Sequence, residues 1–291
     1  MADVRRQPEP ARLDARQRGR FDALFGADNG DGWFPSPAHV MRRAAIMDAF
    51  AHYPPGRLLE MGCGAGRMLA DWHRLGHSGE AVDLDATARK MAVECVRAFD
   101  AGFEVLKYPR GDGFDYLVTT EVLEHIDDPA ALLKDWVAHL RPGGIMLATV
   151  PAYASLWGKS DEWAGHVQRF EPADFRRIVE DAGLEVLEQR LYGYPIGNLL
   201  RIAGNFTSDL KMRKRGKAVS RAEATFASGR ERSIENRLAP VMRSLPMRAL
   251  LKLAISLQRS FDRGHGLLVI ARKLDAGGKN AMRAAAPAVS R

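Results

Sequence analysis

The strongest constraint on this chain is a short apolar run that breaks into glycine: Arg57-Leu-Leu-Glu-Met61 leads into Gly62-Cys-Gly-Ala-Gly66, then a helical stretch from Arg67 to about Leu75. A short stretch carrying Leu58, Leu59 and Met61 predicts a buried strand, and glycines at 62, 64 and 66 let the backbone turn sharply and approach a ligand closely. The following helix offers N–H groups with no partner in its own first turn, so a nucleotide-like ligand fits at the turn. Three-glycine turns also open dinucleotide-binding sheets, and some bind nothing, so the neighbouring residues have to decide.

Downstream, strands and helices alternate. Residues 81–83, 103–106 and 114–120 read as strands, 86–99 and 129–140 as helices, and 144–150 as a strand opened by the turn Arg141-Pro-Gly-Gly144. This alternation predicts an α/β fold, a parallel sheet with helices on both faces. After Pro151 an aromatic loop, Ala152 to Phe170, leads to a helix starting near Pro172 and a strand at 184–191. The stretch from Tyr192 to Asp262 is basic and mostly helical in pattern, and Gly266–Arg272 is strongly apolar. The chain therefore divides into a tail (1–20), an N-terminal helical cap (21–53), a core (54–191), a basic helical insertion (192–263), a final core strand (264–273) and a second tail (274–291), both tails expected to be disordered.

Composition excludes several classes. Of 291 residues, 46% are hydrophobic and 27% charged, the balance of a globular chain with a sizeable core. Two cysteines, Cys63 and Cys95, form no zinc-knuckle or disulfide spacing, and the N-terminus lacks the apolar stretch of a secretory signal, so the expected home is the cytoplasm. No run is long and apolar enough to predict a membrane span. The net charge of +7 concentrates between Arg201 and Arg237, where ten Lys/Arg face four Asp/Glu. That segment reads as a solvated helical cap, a weak peripheral contact with an anionic inner membrane face, or a nucleic-acid groove. The last is least favoured, because stacking aromatics are sparse. Leu250, Leu253, Ala254, Leu257 and Phe261 recur at helical spacing among Arg248, Lys252, Arg259 and Arg263, as in an interfacial helix or an ordinary packed one.

Six ionisable residues stand out beside the glycines. Glu60 lies just before the turn, where its charge would repel a pyrophosphate but accept from an ammonium group. Asp83 ends the second strand about twenty residues on, a position from which a carboxylate accepts ribose hydroxyls. Asp83 could instead cap the next helix, although Asp85 is better placed for that role. Glu121-Val-Leu-Glu124-His125 follows the fourth strand, and on a helical turn its carboxylates and imidazole would share one face. His166 lies on the loop after the fifth strand, which returns to the same sheet edge. Such a set suits Mg²⁺, Mn²⁺ or Zn²⁺, or proton abstraction without a metal. Tyr153, Trp157, Trp163 and Phe170 read as the wall of a lid or as core anchors, and Trp33 and His39 as closing the other side of the ligand.

Taken together, Leu58-Leu-Glu-Met-Gly-Cys-Gly-Ala-Gly66, Val82-Asp83, Phe114-Asp-Tyr-Leu-Val118, Glu121-Val-Leu-Glu-His125 and Leu140-Arg-Pro-Gly-Gly144 resemble the class I S-adenosylmethionine-dependent methyltransferase core, in the branch of the ubiquinone-biosynthesis O-methyltransferases. The resemblance covers about residues 55–190. It implies a Rossmann-like, doubly wound seven-stranded sheet with its last strand antiparallel. It also implies that Glu60, Gly62, Gly64 and Gly66 hold the amino-acid part of S-adenosyl-L-methionine and Asp83 its ribose. By resemblance, Glu121, Glu124, His125 and His166 bind a divalent metal, whereas in metal-free relatives the glutamate caps a helix and His125 lies beneath the substrate. Either way His125 or His166 is expected to take the acceptor's proton, with Glu121 and Glu124 serving as ligands or, without a metal, orienting the imidazole. The expected acceptor is a hydroxyl on a small-molecule, sugar or lipid-linked, isoprenoid-like substrate. N- or C-transfer, a scaffold with a dead site and a nicotinamide-dependent oxidoreductase are the rivals. Glu60 argues against the last, and the intact charges argue against the scaffold.

Overall fold

A computed structural model of the chain describes residues 19–29, 34–202, 205, 208 and 239–275. The elements in order are β1 (Arg20–Asp22), β2 (Gly26–Asp28), α1 (Pro37–Phe50), β3 (Arg57–Met61), α2 (Arg67–Arg74), β4 (Ser78–Val82), α3 (Ala86–Phe99), β5 (Phe103–Leu106), β6 (Phe114–Thr120), α4 (Pro129–Ala138), β7 (Leu140–Pro151), α5 (Lys159–Ala164), α6 (Pro172–Asp181), β8 (Leu184–Gly193), α7 (Leu245–Arg259) and β9 (Gly264–Lys273). Seven strands form one sheet in the order β5-β4-β3-β6-β7-β9-β8. The last strand, β9, runs antiparallel to both its neighbours, β7 and β8. The expected Rossmann-like sheet is therefore present.

The central strands are apolar throughout because both of their faces are covered. Along β9, Leu267, Val269 and Ala271 join the core beneath α4 and α6, with Leu133, Trp136, Phe175 and Val179. Leu268 and Ile270 join the opposite core beneath α1 and α2, with Ile46, Phe50, Leu69 and Trp72. This period of two is the strand geometry written into sequence. All five residues are fully buried, and each large apolar one stabilises the fold by about 1.5–3 kcal/mol.

The N-terminal cap is not purely helical, since a two-stranded hairpin, β1 with β2, precedes α1. Asp22 closes it by accepting from the Leu24 and Phe25 N–H groups at 2.8 and 3.1 Å. Three-residue strands are too short to show a period, which hid the hairpin from the sequence reading.

Residues 209–238 of the basic stretch lie outside the described residues, as do Trp33 and nearly all of both tails. Where the stretch is described, α7 packs on the cap through Leu251 and Ile255 against Leu24, Phe25, Phe34 and Val40. Three arginines are tied down in ion pairs: Arg243, just before α7, to Asp28 and Arg248 to Asp22 at 2.8 Å, and Arg259 to Asp48 at 2.7 Å. These pairs staple the helix to the cap, while the three arginine side chains stay 55%, 28% and 56% accessible. Among the described residues, no helix is long and apolar enough to cross a membrane.

One buried ion pair locks the cap onto α2. Arg43 of α1 donates from Nε to Asp71 Oδ2 at 2.8 Å and from Nη2 to Oδ1 at 2.5 Å, and its Nη1 reaches the Ala23 carbonyl at 2.9 Å. Both side chains are nearly inaccessible, so losing one partner strands a buried charge. Asp71→Ala should destabilise the fold by about 3–5 kcal/mol, read as a lower denaturant midpoint. Replacing both residues by apolar ones of similar volume should cost much less.

Candidate functional site

The glycine turn has the shape a ligand cradle needs. Gly62, Gly64 and Gly66 all take left-handed backbone angles, φ 79°, 53° and 73°. The turn is fastened to β4 by Gly62 N and Cys63 N, which donate to the Val82 carbonyl at 2.8 and 2.9 Å. A Cβ on Gly62 would strike Val122, and one on Gly66 would meet Ala92 Cα at 2.8 Å, so these two glycines permit close packing. A Cβ on Gly64 would meet nothing within 4 Å. Its space is left open at the mouth of the turn.

Asp83 sits beside that opening. Its Oδ2 accepts from Gly64 N and its Oδ1 from Asp85 N, both at 2.8 Å. The carboxylate is thus fixed at the turn and keeps lone pairs for a further donor. Asp85 caps α3 by accepting from Thr87 N at 3.0 Å, which leaves Asp83 out of that role. Glu60 is buried and accepts from Trp72 Nε1 at 3.2 Å. Burial pushes its carboxyl up to about 8 against that bond, with the charges of Asp71 and Asp83 adding to the rise. A group held this way ionises readily only when a cation arrives.

The second constellation forms one turn beyond β6. Only Leu123–His125 is helical, as a single 3-10 turn, because Glu121 is left-handed at φ 56°. The shared helical face expected for Glu121, Glu124 and His125 is therefore broken. Glu124 and His125 do come together with His166, their ligand atoms lying within 4.8 Å of one another. Glu121 turns instead toward α1, its Oε2 3.3 Å from Arg42 Nη1.

His166 is placed by the end of α5. Gly165 closes that helix in the left-handed conformation, φ 78°. Val167 N then donates to the Glu124 carbonyl at 2.9 Å, and Gln168 Nε2 to the Ile126 carbonyl at 2.8 Å. These bonds lay the loop on the 3-10 turn. His166 Nδ1 is 2.8 Å from Asp161 Oδ1, and Arg169 Nε donates to the same oxygen at 2.9 Å. His125 Nδ1 lies 3.3 Å from the Gly165 carbonyl. With Nδ1 engaged in each ring, the Nε2 atoms face Glu124 Oε1, at 3.9 Å from His125 and 3.7 Å from His166. The rings stand nearly perpendicular, centroids 4.8 Å apart.

Glu124 is fully buried, and neither carboxylate oxygen has a hydrogen-bond partner. Burial raises its carboxyl well above the usual range, helped by Glu121 and opposed by Arg42 and Arg169. Burial likewise pushes His125 down to about 4, with His166 contributing.

The expected aromatic wall is mostly core. Phe170 packs in the main cluster against Phe175 at 5.1 Å between centroids, and Trp163 is buried. Tyr153 packs against that cluster, while Trp157 is 41% exposed. His39 lies along α1 beside Arg42, whose Nη2 is 3.4 Å from its Nδ1. Arg42, Asp161 and Tyr192 were not legible as site residues. Asp161 had a faint signal, a carboxylate five residues before His166. Arg42 and Tyr192 had none, since only the folded chain brings them to Glu121.

The sequence matches the Methyltransferase domain family over residues 38–189. A ubiquinone biosynthesis O-methyltransferase of Caulobacter vibrioides is 30% identical over 205 residues, covering 60% of this chain and 79% of that protein. One of the same name from Parvibaculum lavamentivorans is 35% identical over 98 residues, covering 31% of this chain and only 38% of that protein's length. Among solved structures, the cyclase SpnF is similar with a TM-score of 0.51 at 18% identity, covering 87% of this chain and 88% of that one. A Galdieria sulphuraria protein assigned to sarcosine dimethylglycine methyltransferases gives 0.50 at 15%, covering 80% and 85%. At these identities the structures establish the fold alone.

The glycines should separate by experiment. Gly66→Ala should lower the melting temperature, because its Cβ meets Ala92 backbone. Gly64→Val should leave the fold nearer intact, with a modest left-handed penalty, and abolish S-adenosylmethionine binding measured by calorimetry.

Proposed function

The chain belongs to the methyltransferase-domain family, and we propose that it transfers the methyl group of S-adenosylmethionine to a hydroxyl oxygen with the help of a divalent cation. The acceptor hydroxyl belongs to a small-molecule, sugar or isoprenoid-like substrate, a class suggested by the names of the ubiquinone-biosynthesis relatives. The observation that carries the metal reading is the buried Glu124 carboxylate, without a hydrogen-bond partner, facing the Nε2 atoms of His125 and His166. An unpaired carboxylate in the interior is costly, and a cation shared with two imidazoles removes that cost.

The residues fit such an ion by donor chemistry, since mixed nitrogen and oxygen ligands suit Zn²⁺ or Mn²⁺ and accept Mg²⁺ less readily. Asp161 behind His166 and the Gly165 carbonyl behind His125 fix each ring so that Nε2 is the ligating atom. When bound, the ion would lower the acceptor hydroxyl's pKa and fix its direction. The chain's own contribution is placement. Gly64 and Asp83 hold the cofactor at the ends of β3 and β4, Glu60 answers its ammonium, and the turn after β6 sets the acceptor beside it.

A second reading rests on the Asp161–His166 contact of 2.8 Å. A carboxylate behind an imidazole orients it as a base, so His166 would take the hydroxyl proton without a metal. Elemental analysis and chelation separate the two. Under the metal reading, chelator suppresses turnover with a panel of labelled acceptors while cofactor affinity stays nearly unchanged. Full activity in metal-free protein would remove the ion and leave the histidine base.

Two cofactor contacts are testable independently. Asp83→Ala removes a charged acceptor worth about 1.5–3 kcal/mol, so binding should weaken roughly ten- to hundredfold. Glu60 is mostly protonated at pH 7 in the free protein, its carboxyl standing at about 8. An ammonium ligand favours the ionised form, so binding should release a proton and weaken as pH falls below 8, by up to roughly tenfold per unit. Affinities measured across pH 6–9 that show no slope, or that persist in Glu60→Gln, would refute the ammonium contact.

A further inference from the structure

Glu121 belongs to the sequence cluster that was expected to bind a metal, yet it stands apart from the other three residues. Its Oε2 is 3.3 Å from Arg42 Nη1, and its Oε1 lies 3.4 Å from the Tyr192 hydroxyl. Arg42 comes from α1 and Tyr192 from β8, so two distant elements hold one carboxylate. The backbone fixes its root, because Glu121 N donates to the Thr149 carbonyl at 2.9 Å and φ is 56°. From that root the side chain engages Arg42 and Tyr192, while its charge stands near enough to Glu124 to raise that carboxyl.

Resting on the reading that Glu124, His125 and His166 hold a divalent cation, we propose that Arg42 is a positioning residue that keeps Glu121 out of the ligand set, so that the ion and Arg42 compete for one carboxylate. The pair suits this role. Its side chains remain 20% and 24% accessible, and partly solvated pairs of this kind are weak. A dication nearby attracts the same carboxylate more strongly than a single guanidinium does. Arg42 therefore sets how readily the fourth ligand is recruited, and Tyr192 restrains it from the other side. The displaced guanidinium stays among polar groups, with His39 Nδ1 3.4 Å from its Nη2.

The mechanism predicts a sign that a supporting residue would not give, because removing Arg42 should improve binding. Chelator-stripped full-length protein would be titrated with Mn²⁺ by calorimetry, with electron paramagnetic resonance of the bound ion as a second readout. Arg42→Gln should tighten Mn²⁺ binding about three- to tenfold, and Glu121→Gln should weaken it. In the Glu121→Gln background, Arg42→Gln should change affinity by less than about twofold, since no carboxylate remains to release.

Equal tightening in both backgrounds would overturn the proposal, because the guanidinium would then act by plain repulsion of the cation. Binding in the native protein with no change in Arg42→Gln would overturn it while leaving the metal reading intact. Absence of binding in both would remove the metal reading and this proposal together. If Arg42→Gln does not fold, Tyr192→Phe tests the same competition from β8, with a tightening of about twofold expected and an unchanged affinity counting against it.

Discussion

A buried carboxylate that makes no hydrogen bond sits at the edge of the sheet, facing two imidazoles. Glu124 is fully enclosed and unpaired by any hydrogen bond, a state that costs several kcal/mol when the group is charged. The surrounding fold must hold it there. The Val167 N–H binds the Glu124 carbonyl, and Gln168 binds that of Ile126. The loop that supplies His166 is therefore the same loop that roofs the turn. Proteins tolerate such costs mainly where chemistry requires them, and here two imidazoles share the place.

The sheet explains why these pieces meet. β3, β4, β6 and β7 run parallel in adjacent positions, so their C-terminal ends open on one edge. The glycine turn follows β3, Asp83 follows β4, Glu121 to His125 follow β6, and the loop of His166 follows β7. The chain runs outward from β3 through β4 to β5 and then crosses back to β6 on the other side of β3, which makes β3 the topological switch at which such sheets bind ligands. The likeness to a cyclase shows that this frame does not dictate one reaction. The reaction is decided by what stands at the edge.

Much of this was legible in sequence where the signal was local. β5, β6 and α3 fall at the residues their apolar patterns indicated, and Asp85 caps α3 as its position before the helix suggested. The glycine turn was legible because left-handed backbone needs glycine. Contacts that close over long separations were not. Glu121 looked equivalent to Glu124 by helical spacing, and only its left-handed backbone and the pull of Arg42 and Tyr192 distinguish them. Trp163 and Phe170 looked like a lid because a loop rich in aromatics reads alike whether it folds inward or outward. The ion pairs of Arg243, Arg248 and Arg259 were hidden too, because their aspartates lie more than two hundred residues away.

The helix α1 connects these observations. Arg42 and Arg43 are consecutive, so their side chains diverge by about 100° around the helix axis. Arg43 points into the cap and locks Asp71 of α2, while Arg42 points to the sheet edge and engages Glu121. Gln258 of α7 donates to the Met41 carbonyl at 3.0 Å, one residue before this pair. A shift of α1 along its axis would therefore change both contacts together. The placement of the glutamate beside the proposed metal group depends on how the cap, with its hairpin and its stapled α7, is packed. That dependence ties the cap to the geometry of the sheet edge. Through Arg42 it places a charge beside Glu121, while Asp83, Glu124, His125 and His166 come from the segments that follow the strands.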